Sequence, residues 1–131
     1  MHRTAVNPWQ WSLQFGFNQA ECVEGHQRVL LCSGQTSVDA QGAAQHAGDM
    51  AAQIKLALDN LEAVLSEAGM GLVDVVRLSM YTTDVDELIA NFDAVAGRFG
   101  EAGAAYAATL IGVTRLAFPE LMVELEAIAM Q

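Results

Sequence analysis

The stretch LMVELEAIAM, from Leu121 to Met130, alternates with a period of two. In a strand, side chains two apart share a face, whereas helical spacing would splay them. Leu121, Val123, Leu125 and Ala127 therefore line one face, and Met122, Glu124, Glu126 and Ile128 line the other. The first set reads as core. The second mixes aliphatic side chains with two carboxylates, so it suits neither a plain core nor plain solvent. A chain containing this strand must build a sheet whose two faces meet different surroundings.

The rest of the chain supplies the elements for one of those faces. Ile54, Leu58, Leu61, Leu65 and Ala68 fall at helical spacing, a stripe of roughly five turns. Asp49 is its expected N-cap and Gly69 its C-terminal stop, with Gln53, Lys55, Asp59, Glu62 and Ser66 on the other sides. Val73–Thr82 alternates again. Asp84 and Glu87 then have capping-box spacing before a second helix bearing Leu88, Phe92, Val95 and Phe99, which ends at Gly100–Gly103. Strands are expected at Ala20–Glu24 and Arg28–Ser33 around a turn at Gly25, and at Ala107–Val113. An extra short strand is placed near Leu13–Phe17, and a loop from Ser37 to Gly48. Residues 1–131 are read as one domain, with a Trp-rich arm over residues 1–16. The order β-β-α-β-α-β-β predicts a two-layer α+β domain with helices on one sheet face. The other face needs a partner, and a second subunit is the simplest one.

Composition narrows the function. The net charge is −10, and the six basic residues, Arg3, Arg28, Lys55, Arg77, Arg98 and Arg115, do not cluster. That argues against nucleic acid, whose phosphates need a track of Lys and Arg. No apolar run is long enough for a membrane span, and MHRTAVNPWQW lacks a signal-peptide core, so a cytoplasmic location is expected. Cys22 and Cys32 are read as free, buried thiols. His2, His26 and His46 are too scattered for a metal site, and no cofactor motif occurs.

Three stretches carry a resemblance: LLCSGQTSVD, DMAAQIKLALDNLEAVLSEAGMGLVDVVRLSMYTTDVDEL and GVTRLAFPELMVELEAIA. In this order, from Leu30 onward, they are similar to the Rid family of reactive intermediate deaminases, also called YjgF-like. The resemblance implies a chorismate-mutase-like fold and a homotrimer around a central β-barrel, with small-molecule clefts between subunits. It also implies cofactor-free hydrolysis of enamines and imines such as 2-aminoacrylate. Glu124 matches the glutamate that positions or activates water, and Ser33, Gly34 and Gln35 match the SGQ turn that lines the pocket.

Elsewhere the chain departs from the pattern. The pocket tyrosine corresponds to Phe17. The arginine that clamps the substrate carboxylate corresponds to Ala108, followed by Thr109, and a frequent cysteine corresponds to Leu110. The asparagine of the second helix aligns with Phe92, next to Asn91. Arg115 lies seven residues from Ala108, more than roughly 20 Å along an extended strand, and does not substitute.

Each residue also has a plain reading. Glu124 suits a solvated strand end, Ser33 a turn hydroxyl without a base beside it, and Phe17 and Tyr106 either packing or the wall of an apolar cleft. The reading adopted is a Rid-like trimer whose clefts bind a small molecule, with Glu124 as acid/base in hydrolysis of an imine, enamine or related metabolite. A noncatalytic trimer of the same fold is one alternative. A standard 2-aminoacrylate deaminase is another, disfavoured by Ala108.

Overall fold

The computed structural model describes residues 1–131. Strand β1 (His2–Val6) pairs antiparallel with β2 (Ala20–Glu24), and β3 (Val29–Leu31) follows. Then come α1 (Met50–Glu67), β4 (Val75–Thr82), α2 (Val85–Ala90), α3 (Phe92–Glu101), β5 (Ala107–Gly112) and β6 (Val123–Met130). The main sheet has the order β3-β6-β4-β5, antiparallel except for the β4–β5 pair.

The core lies between this sheet and the helices. Ile54, Leu58, Leu61 and Leu65 of α1 pack with Leu78 and Met80 of β4, Val123, Leu125, Ala127 and Ala129 of β6, and Val95 and Phe99 of α3. The predicted caps form. The Asp49 carboxylate accepts from Ala52 N–H at 3.0 Å. Gly69 closes α1 at φ +71°, where Met70 N–H reaches back to Leu65 C=O.

The register sorts the opposite face. Arg77, Ser79 and Tyr81 of β4 stand beside Ile128, Glu126 and Glu124 of β6 and beside Ala107, Thr109 and Ile111 of β5. Leu31 continues the first of these rows and is 74% exposed. No helix of the chain covers this face, and no helix is long and apolar enough to cross a membrane.

Several expectations need correction. Leu13–Phe17 is not a strand: residues Trp11–Phe15 form a short 3-10 helix closed by Gly16 at φ +84°. The strands on either side of Gly25 do not pair with each other. β2 pairs with β1, so the start of the Trp-rich arm folds back as a strand. Arg3 secures this ribbon by donating to the carbonyls of Val73, Val75 and Ala105. The second helix is two helices that meet at Asn91, whose side chain donates to Glu87 C=O at 2.9 Å, competing with the helical ladder. Cys22 is exposed and only Cys32 is buried, where desolvation raises its thiol pKa.

Candidate functional site

Gln53 belongs to the buried face of α1 rather than to its solvent sides. It is fully buried. Its amide donates to His46 C=O at 3.1 Å and to Glu120 C=O at 2.8 Å, and its Oε1 accepts from Met122 N–H at 2.8 Å. Thr82 Oγ1 donates to Met122 C=O at 2.7 Å. The backbone of Met122, two residues before Glu124, is thus held from both sides. About two helical turns further along α1, Asn60 donates to Thr36 C=O at 2.9 Å and Val38 C=O at 3.0 Å, fixing the chain that follows the SGQ turn. Gln35 and Leu125 then exchange backbone hydrogen bonds at 2.7 and 2.9 Å. Two polar side chains of one helix therefore bring the SGQ turn and β6 together.

The outcome is a tight corner. A Cβ added to Gly34 would sit 1.8 Å from Glu124 Oε1 and within 2.8 Å of its Cγ. The carboxylate occupies the space that a side chain would need, so glycine here permits the close approach of Glu124 and is not called for by an unusual φ. Glu124 is partly buried, while Glu126 is exposed. Burial raises the Glu124 pKa, and the neighbouring Glu126 charge adds to the rise. The ion pairs of the chain lie elsewhere, at Arg3–Glu21, Lys55–Asp59, Arg98–Asp59 and Arg98–Glu62. Ser33 is exposed, and its carbonyl accepts from the Gln35 amide at 3.2 Å.

The other expected residues stand apart from this corner. Ala108 pairs with Leu78 on the helix side of the sheet, whereas Glu124 pairs with Tyr81 on the bare side. Phe17, Ala108 and Thr109 border a cavity of about 380 Å³. Phe15 and Phe17 line it from the segment before β2, Ile89 and Phe92 from α2 and α3, and Met80, Ala108 and Leu110 from β4 and β5. Asp93 is the one charged residue that lines it. Thr109 Oγ1 accepts from Arg77 at 2.5 Å. Tyr106 does not reach the cavity. It is buried against Phe99 with ring centres 4.5 Å apart, and burial lifts its pKa to about 12. Arg115 turns to the carbonyls of Leu116 and Ala117.

A family model described as Endoribonuclease L-PSP matches residues 14–131. The chain belongs to the Rid (YjgF/RutC) family. A RutC family protein of Pyrococcus abyssi is 32% identical over 100 residues, 76% of each chain. The 2-iminobutanoate/2-iminopropanoate deaminase of Salmonella typhimurium is 29% identical over 104 residues, 79% of this chain and 80% of that one. The crystal structure of YyfB from Yersinia pestis, a Rid-family protein of unknown function, matches all of both chains with 37% identity and a TM-score of 0.87. TdcF of E. coli, solved with bound serine, matches 97% of this chain and 91% of its own with 26% identity and a TM-score of 0.71.

Against the Rid pattern, all four departures noted in the sequence meet at one place. Phe17, Phe92, Ala108 and Leu110 line the same cavity. Of the two neighbouring candidates for the helix position, Phe92 lines the cavity, and the Asn91 side chain is engaged at the helix junction. Gln53, Asn60 and Thr82 were missed as positioning groups. A signal for Gln53 was present, since it precedes Ala57 and Leu61 at intervals of four.

Proposed function

We propose that the chain assembles as a homotrimer whose intersubunit clefts hydrolyse an imine or enamine, with Glu124 as acid/base. The observation that carries this is the Glu124–Gly34 corner. There an unpaired, partly desolvated carboxylate is held at a site built by Gln53, Asn60 and Thr82. A raised carboxylate pKa makes the group a stronger base than a free carboxylate, which suits one that must accept a proton and then return it. For an iminium substrate, Glu124 takes a proton from water as the oxygen bonds to carbon, giving a neutral carbinolamine. It returns that proton to nitrogen. The C–N bond then breaks with its electron pair leaving on ammonia, and the hydroxyl proton passes to the released ammonia. Iminium and water become carbonyl compound and ammonium, and no other reactant is needed.

The trimer reading is supported by the uncovered sheet face, where Leu31, Ile128 and Ile111 stand among Arg77 and the two glutamates. It would also reconcile the two halves of the site, since a neighbouring subunit could place its Glu124 corner beside the cavity of the first. Acidic charge and dispersed basic residues oppose a ribonuclease, whatever the family description says. The test is ammonia release from imines generated in place by an amine or amino-acid oxidase, comparing wild type with Glu124→Gln. Turnover that survives the substitution unchanged would sink the role of Glu124. No turnover of any imine would favour the noncatalytic binding trimer.

A further inference from the structure

The lining of the cavity specifies a ligand class more narrowly than the reaction does. Its volume of about 380 Å³ suits a molecule with a ring or a branched chain. Its walls are Phe17, Phe92, Leu110 and Met80, and none of the six basic residues lines it. A carboxylate buried there would lose its water and gain no cation in exchange, which is unfavourable. The charge that is present has the opposite sense. Asp93, in the first turn of α3, stands at the cavity, is exposed and enters no ion pair. The overall charge of −10 points the same way.

We infer that this cavity takes a small apolar amine or iminium ion that lacks a carboxylate. Its hydrophobic body packs on Phe17, Phe92 and Leu110, and its cationic nitrogen faces Asp93. The iminium form rests on the hydrolase reading given above; the binding preference does not.

Calorimetric titration of the full chain with phenylpropylamine, phenylpropanamide and phenylpropanoate tests it. These share one skeleton and carry a positive, a neutral and a negative end. The amine should bind about tenfold tighter than the carboxylate, with the amide between them. Asp93→Asn, an exposed change that does not threaten folding, should weaken the amine by about threefold to fivefold and leave the amide unchanged. Ala108→Leu should weaken all three together by filling the cavity. Equal or tighter binding of the carboxylate overturns the inference, as does an amine affinity unmoved by Asp93→Asn, or no amine binding at millimolar concentration. Amine binding without any imine turnover would remove the hydrolase reading alone. Turnover with a preference for carboxylate-bearing imines would remove this inference alone.

Discussion

The Glu124 corner and the apolar cavity were both expected to belong to one Rid-like site, and they differ in kind. At the corner, a glycine, a carboxylate, the buried Gln53 and Thr82 and the partly buried Asn60 fit together with little free space. At the cavity, every position where the resemblance implied a polar pocket group holds an apolar one. The corner depends on distances, so its residues constrain one another. The cavity depends on the shape and polarity of its ligand, so its lining can change without disturbing the corner. The lining of the cavity can thus differ from the pattern the resemblance implied while the Glu124–Gly34 contact is kept.

The sharpest way to break the corner is Gly34→Ala. The new Cβ would displace the Glu124 carboxylate, which can rotate away, so the fold should survive with its melting temperature nearly unchanged. Imine turnover should fall about a hundredfold, the usual cost of misplacing a catalytic group by an ångström. Turnover close to wild type in a correctly folded Gly34→Ala would show that the observed contact has no catalytic role.

Gln53→Leu attacks the same corner through its support. It strands the Glu120 and His46 carbonyls and the Met122 N–H, which Gln53 now satisfies. The expected cost is about 2–4 kcal/mol of stability. That is a drop of roughly 10 °C or more in melting temperature by calorimetry. The comparison requires that cavity changes such as Phe92→Leu cost less, because Phe92 is only partly buried.

Ala108→Arg tests the cavity side. If Ala108 marks the absence of a carboxylate clamp, wild-type turnover of 2-aminoacrylate should be slow, and the substitution should raise it by about tenfold if the arginine reaches the ligand. Overpacking against Phe17 would limit the gain. Fast wild-type turnover of 2-aminoacrylate would remove the distinction between the two regions.

The contrast also explains what could be read from the sequence. Period-two and helical stripes placed most of the elements, because burial on one face forces those patterns. Glu124 and Gly34 were legible as motif residues, but their contact was not. It arises from a pairing between Gln35 and Leu125, ninety residues apart, that no local pattern encodes. The break at Asn91 and the strand at His2–Val6 were missed for a related reason. One depends on a side chain competing for a carbonyl, the other on Arg3 finding three distant backbone oxygens. Gln53 was assigned to solvent by residue type, since an amide is usually exposed unless it finds partners. The convergence of Phe17, Phe92, Ala108 and Leu110 is a tertiary fact, even though each departure was visible alone.

The smallest effect concerns the charge on Glu124 itself. Its pKa is raised in the folded chain by burial first and by Glu126 second. A raised carboxylate pKa means that the folded state favours the protonated form. The folded state therefore carries no penalty below the unfolded pKa, and the penalty develops as pH rises through the raised folded value. Glu124→Gln keeps the shape and removes the charge. It should leave stability unchanged near pH 4 and increase it slightly at pH 7, by about 0.5 kcal/mol or less, because a partly exposed group is screened by solvent. Denaturant melts of both proteins across that range measure the difference. An opposite slope, with wild type gaining on the variant as pH rises, would mean that the ionised carboxylate has a favourable partner. The corner would then be a structural ion pair or hydrogen bond, which would remove the unpaired carboxylate on which the proposed acid/base role rests.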